Sequence, residues 1–322
     1  MAKMTTAQLK SFVSSYVNSA KQGGSWTPSA DSISGLIEKV SKLVTIDGDY
    51  QDKLGELDAE NLPEGYAIEE WFMDLVLPTA YSNATTEGAK DVVPEMPTFE
   101  DTCYSVRLGR NKIKITEPSN TFDRYCRDGN DAGSITAKIL GRLENSYSLY
   151  RYNVKKQALG IYAKKAVTKG GECLVSIAKP EDDTTGEAFI QAVKDKIEAF
   201  SFAHEGGLKG ALIGAAPSLI LYVKPAIKSV LDVQVEAGAF NPEKLGLGIE
   251  VKVLDDFGSG SDVDDDVYAI LIDPRGLKYH ANYDAVRVAE NADGDFRNIV
   301  RHTEGTIFQS CYTAICAFKD VA

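Results

Sequence analysis

Between Asp131 and Ala166 the chain runs 36 residues without a proline, and apolar or aromatic side chains stand at Ile135, Ile139, Leu143, Tyr147, Tyr150, Val154, Ala158 and Ile161. Every step in that series is three or four residues, the repeat of one face of an α-helix. At about 1.5 Å per residue the helix would be roughly 54 Å long, more than the diameter of a small domain. A helix of that length is a spine, and the remaining elements must find places along it.

Ahead of it, Leu9, Phe12, Val13, Tyr16 and Val17 form one helical face, which breaks at Gly23 and Gly24. A second short helix is expected from the cap candidates Ser29–Asp31, carrying Ile33, Leu36, Ile37, Val40, Leu43 and Val44. Helices so short and narrow-faced need another surface to lie on, in their own subunit or a neighbour. Tyr66 to Leu77 is an apolar, strand-like run ended by Pro78, and the two-residue alternation of Tyr104, Val106, Leu108, Ile113 and Ile115 offers it a partner. The polar stretch from Thr79 to Thr102, with Pro94 and Pro97, has no periodicity and reads as a projecting loop. Beyond the spine, a strand is expected at Cys173–Ile177, a helix at Glu187–Ala203 and a glycine-punctuated loop from Gly206 to Gly214. Strands at Leu219–Val223, Ile249–Leu254 and Val267–Ile272, with a helix from Pro225 to Ala239, suggest an α/β layer, and Thr306–Phe318 reads as one buried terminal strand.

A composition of 43% hydrophobic and 25% charged residues over 322 positions allows a core for one large domain or two. No run approaches the roughly 18 apolar residues of a membrane span, and Met1–Lys10 lacks the apolar core of a secretion signal, so the expectation is a soluble chain made in the cytoplasm. The net charge of −12 is unevenly spread: −9 over residues 1–100, +8 over 101–170 and −11 over 171–322. A basic block holding the spine sits between acidic ones, which suits contacts between subunits or with a polyanion.

Catalytic patterns are missing from the sequence. His204, His280 and His302 form no His-x-x-x-His pair; Asp262, Asp264, Asp265 and Asp266 resemble a calcium loop, but Val267 takes the place of its turn glycine. The glycines at 206–214 lead to no Gly-Lys-Ser/Thr, and Gly246-Leu-Gly248 lacks the third glycine of a dinucleotide fingerprint. The five cysteines contain no Cys-x-x-Cys, and Cys311 and Cys316, taken as one strand, point to opposite faces. The expectation is no catalytic, cofactor-binding or metal-binding residues.

The ordered set LPEGYAIEEWFMDL (Leu62–Leu75), YSVRLGRNKIKIT (Tyr104–Thr116), LYVKPAIKSVLDVQVEAGAFNPEKLG (Leu221–Gly246) and the run from Gly276 to Phe318 resembles the major capsid protein of tailed bacteriophages, of the Hong Kong ninety-seven type, nearest to small podophages of Gram-positive hosts. The resemblance implies an α+β fold with an N-terminal arm (1–61), an extended E-loop (62–118), a peripheral domain with the spine helix (119–205), an axial domain (206–300) and a strand returning to the peripheral domain (301–322). It also implies hexamers and pentamers in an icosahedral shell, built in the host cytoplasm around double-stranded DNA that is touched weakly and non-specifically. Portal and other virion proteins, and a separate scaffolding protein, would be its further partners, with no membrane. An encapsulin-type compartment shell is the nearest alternative, and an α/β enzyme with an unrecognised site a more distant one. The residues expected at the subunit interface are Trp71, Phe72, Arg107, Arg110, Lys112 and Lys114.

If the stripe is buried, Ile139→Asp places an uncompensated charge in the core, and the expected outcome is an insoluble or unfolded chain by circular dichroism. A soluble variant with native ellipticity would place Ile139 outside the core.

Overall fold

The computed structural model describes residues 3–19, 37, 45–46, 50, 52–63, 68–73, 99–102, 105–118, 129–216, 218–237, 248–291, 294 and 296–321. The first elements are β1 (Lys3–Met4), α1 (Thr6–Ser19), β2 (Thr45–Ile46), β3 (Glu70–Met73), β4 (Phe99–Thr102), β5 (Ser105–Arg107), β6 (Asn111–Pro118) and the 41-residue helix α2 (Gly129–Lys169). Then come β7 (Leu174–Ser176), α3 (Asp183–Phe200), β8 (His204–Gly206), β9 (Ala211–Ile213), β10 (Ile220–Val223), α4 (Pro225–Ala237), β11 (Glu250–Val253) and β12 (Val267–Ile272). The long strands β13 (Leu277–Asn291) and β14 (Phe296–Gln309) and the short β15 (Ile315–Lys319) close the chain.

Two compact units share these elements. One holds Met1–Tyr66, Arg107–Val154 and Tyr279–Thr306; the other holds Ala67–Val106, Lys155–Lys278 and Ile307–Ala322. Residues 279–306 group with the first half of α2, and β15 joins a sheet with β10 and β12. Helix α2 itself passes from one unit to the other at Val154, and its buried face changes there. Before that point Ile139, Leu143 and Tyr147 are buried as the stripe predicts; after it Leu159, Tyr162 and Ala166 are buried, while Ile161 is only half-buried.

The second unit is built on a mixed five-stranded sheet, order β11-β10-β12-β15-β7. Its central strands are buried at every position, so both faces are covered, and near-continuous apolar runs such as VYAILI are what that burial demands. One face, with Leu221, Val223, Ala269, Leu271, Cys316 and Phe318, packs on Phe189, Val193 and Phe200 of α3 and on Ile227 and Leu231 of α4. Helix α3 starts four residues earlier than its apolar face suggests, because Asp182 and Thr185 form a reciprocal capping box. The glycine-rich stretch after it is not a plain loop: β8 and β9 pair as a hairpin whose turn residues Gly207 and Gly210 have φ of +68°. A Cβ at Gly207 would collide with the Cys311 carbonyl, so the hairpin lies against the turn that follows β14. That turn also splits the single terminal strand expected at 306–318 into β14 and β15, with Cys311 in the turn and Cys316 on β15. Another loop, 255–261, is strapped to α2: Lys156 pairs with Asp255 (2.9 Å) and Asp256 (3.0 Å), and Gln157 exchanges hydrogen bonds with Ser259. Gly160 lets it pass, since a side chain there would meet the Phe257 carbonyl.

In the first unit, β14 is flanked by β13 on one side and by β5 and β6 on the other. Strand β6 runs antiparallel to β14 in a register from Phe296↔Pro118 to Thr303↔Asn111. Its alternation turns Ile113 and Ile115 inward and leaves Lys112, Lys114 and Thr116 exposed. The inward residues pack, with Ile299, on Ala137, Ile139, Leu140 and Leu143 of α2. Helix α1, started by the reciprocal Thr5–Gln8 bonds, adds Leu9 and Val13 to the same cluster, both fully buried. Its cover therefore comes from its own unit. Of the second short helix only Ile37, a buried member of this cluster, is among the described residues.

Within this apolar layer sits Arg301, 7% exposed. It forks onto Asp284 of β13 (2.8 and 2.7 Å), reaches Glu144 of α2 (2.5 Å), and lies over the Tyr147 ring (3.8 Å to the centroid). Burial alone would make it easier to deprotonate, yet the two carboxylates outweigh burial and raise its pKa. Asp284 keeps 37% of its side chain exposed and Glu144 17%, so removing Arg301 strands carboxylates that water still reaches, at a cost of about 1–3 kcal/mol, less than for a fully buried pair. Arg301→Ala should therefore lower unfolding free energy by that amount in urea titration, and Arg301→Ala with Asp284→Ala should cost less than the sum of the two single changes.

Candidate subunit interface

The six residues expected at an interface divide into two sorts. Strand β3 carries Trp71 and Phe72 on opposite sides, as a strand must. Phe72 stacks on Tyr312 with 4.3 Å between centroids and 5° between planes. Beside it, Glu70 accepts from the Ser310 hydroxyl and, at 3.1 Å, from the Cys311 backbone N–H. With two successive inward positions committed to the turn at 310–312, Trp71 is left outside, 70% exposed. The strand's partner is β4, antiparallel from Glu70↔Thr102 to Met73↔Phe99, and not the alternating segment at 104–115. That alternation belongs instead to an element with one face on the α2 core and the other outside.

Arg107 and Arg110 both donate to Glu304, Arg110 at 2.9 Å. The carboxylate is almost wholly covered, at 3% exposure, whereas the arginines remain about half exposed at 53% and 56%. Hydrogen bonds from Arg107 and then Arg110 hold the Glu304 carboxyl below its ordinary 4.5. Arg110 also lies over the Tyr283 ring, and the Leu108 N–H donates to the Gly305 carbonyl (2.8 Å). These arginines thus fasten the chain between β5 and β6 to β14. Lys112 and Lys114 are exposed on the outer face of β6, and Val106 of β5 is 60% exposed. Among the described residues no strand pairs with the far side of β5 or β6, and the lysines of β6 disfavour indiscriminate strand pairing there.

The anchors Glu304, Ser310 and Tyr312 were not legible in the sequence, because the partners they hold on β3, on β5 and just before β6 lie between 194 and 241 residues away. Among the described residues there is no group of three His, Cys, Asp or Glu side chains placed to hold a metal ion, and no helix long and apolar enough to cross a membrane. Cys173, Cys311 and Cys316 are buried free thiols.

A family model described as Phi29-like phage major capsid protein matches residues 9–319. Among solved structures, the capsid of Staphylococcus phage Andhra is similar at 14% identity and a TM-score of 0.62, covering 95% of this chain and 96% of that one. A chain from the structure of the head fiber and inner core protein gp22 of native bacteriophage P68 gives 12% identity and 0.64, over 94% and 91%. The mature capsid of bacteriophage PhiM1 gives 12% and 0.58, over 85% and 89%. At these identities the likeness is one of fold. No curated protein matches the chain.

Because the folded-state pKa of Glu304 is lowered, its contribution to stability is present above its ordinary value and lost as pH falls through the lowered one. The difference in urea midpoint between the wild-type chain and Glu304→Gln should therefore be largest near neutral pH and vanish in acid. A difference independent of pH would mean the carboxylate's charge is not what holds Arg107 and Arg110.

Proposed function

The chain belongs to the Phi29-like phage major capsid protein family, and on that premise we propose that it assembles as hexamers and pentamers into an icosahedral shell around double-stranded DNA. It is a structural subunit of the virion capsid, with the α+β fold of phage capsid proteins. The observation that carries the proposal is the family match from residue 9 to residue 319, nearly the whole chain. In this reading the part has no catalytic step: its work is to bind copies of itself, with the portal, other virion proteins and a separate scaffolding protein as further partners.

Physical features support a particular contact surface. In this reading residues 62–118 supply the extended loop: Glu70 and Phe72 hold β3 in one unit and leave Trp71 exposed, and Arg107 and Arg110 hold the chain entering β6 in the other and leave Lys112 and Lys114 exposed. An exposed tryptophan suits an apolar pocket on a neighbour, and the exposed lysines, on an otherwise acidic chain, suit a neighbour's acidic surface. The labels N-terminal arm, peripheral domain and axial domain follow from the same premise.

Electron microscopy of the expressed chain should reveal closed particles, and a monodisperse monomer under all assembly conditions would overturn the reading. Trp71→Ser and deletion of residues 82–97 should each leave a subunit with native circular dichroism that forms few particles. Normal particle yield from both would remove the loop from the assembly contacts.

A further inference from the structure

In the second unit the last turns of α2 form one wall of a cavity of about 530 Å³. Ile161, Lys164, Lys165, Thr168 and Lys169 line it at helical spacing, so all five share one side of the helix. The β8–β9 turn supplies the opposite wall with Leu208 and Lys209, and Cys311 and Asp262 complete it. Four ammonium groups and one carboxylate therefore meet around an apolar floor. The walls are built rather than incidental: Gly207 and Gly210 hold the left-handed turn, the Lys209 N–H donates to the Cys311 carbonyl (3.2 Å), and Lys169 passes over Gly210.

Elsewhere in this unit lysines meet carboxylates: Lys156 has Asp255 and Asp256, Lys196 has Glu172 at 2.6 Å and Lys319 has Asp264 at 2.9 Å. In the cavity Lys164 donates to the Ser261 carbonyl, a neutral acceptor, and the Gln309 side-chain oxygen is one of the groups Lys165 meets (2.6 Å). We propose that this cavity is a binding site for nucleic-acid phosphates, the place where the subunit holds the backbone of DNA. The proposal rests on the reading of the chain as a shell around DNA and names the surface that faces it. Lys165 and Lys169 stand one turn apart, roughly 6 Å along the axis, so their ammonium groups can reach neighbouring phosphates of one strand. An acidic protein segment would need its carboxylates at a matching spacing, whereas a nucleic-acid backbone presents such charge at any position. Repetition over many copies makes a weak site of this kind effective without base recognition.

The test uses the full-length chain, a short fluorescein-labelled DNA duplex of arbitrary sequence, and anisotropy at rising salt. Changing Lys164, Lys169 and Lys209 together to Gln should weaken binding about tenfold or more and reduce the salt slope by about three. A control with equal charge loss, Lys10, Lys53 and Lys138 to Gln, should bind as wild type. Should the pocket triple melt below the wild-type temperature, Lys209→Gln alone carries the test, with a slope lower by about one. The proposal is overturned if the pocket variant binds as wild type, if both triples lose equally, or if a peptide of residues 87–101 occupies the site and the duplex does not. Particle formation is scored separately by microscopy: wild-type chain that forms no particles fails the shell reading, while particles with unaltered DNA affinity in the pocket variant fail the site.

Discussion

The buried guanidinium of Arg301 sets the register of the first unit. It lies opposite Ile113 of β6, on the side of the sheet that faces α2, among Ile299 and Ile115. Bringing the Arg301 guanidinium out of water costs several kcal/mol, and an apolar replacement of like shape would often be as stable. What a hydrocarbon could not supply is a fixed pairing. A slip of one residue in β14 would turn Arg301 outward and His302 inward, leaving Glu144 and Asp284 without their cation. Strand β6 depends on that register through all eight of its pairs, and Glu304 then comes to the place where Arg107 and Arg110 can close on it.

The sequence carried those parts of the fold whose signal is local. Helical spacing found α2 within a few residues of its ends, apolar runs found β10 and β12, and alternation along 111–118 identified a strand with one buried side. Pairing was another matter, because a ladder between residues 70–73 and 99–102 leaves no trace in either segment alone. Strand β13 and the part of β14 before Thr306 were overlooked since their inward positions include Tyr279, Arg297 and Arg301, which do not read as apolar. The glycines at 206–214 signalled a turn correctly but hid the two three-residue strands around it. For the expected interface residues, exposure of Trp71, Lys112 and Lys114 follows from strand alternation; the stacking of Phe72 and the pairing of the half-exposed Arg107 and Arg110 required Tyr312 and Glu304 to be brought from the far end of the chain.

A basic helix in an acidic protein suggests an external partner, but much of its charge is used internally. Arg151 pairs with Asp58 and lies over the rings of Tyr147 and Tyr279, which binds the segment before β3 to the helix. Lys156 does the same for the loop after β11. Reading a charge block as a binding surface thus overestimates it by every cation that serves as a clamp. What distinguishes Lys164, Lys165 and Lys169 is their shared side of the helix and the cavity they line with Lys209.

The same division between clamp and surface holds at β3. A strand offers its side chains alternately to two sides, so a segment held to its own subunit by Glu70 and Phe72 must turn Trp71 away from it. Anchoring and display are then one constraint. Firm attachment at the base lowers the entropy that an outward residue loses on docking, so in the proposed reading the affinity of Trp71 for a neighbour would be governed in part by contacts it does not make. In a closed shell each subunit meets several others, and modest contacts suffice because each additional one forms within an already tethered pair. Contacts strong enough to hold two subunits alone would also hold misplaced ones; an aromatic anchor on a rigid base, as proposed for Trp71, would keep docking specific and leave it reversible until the ring closes.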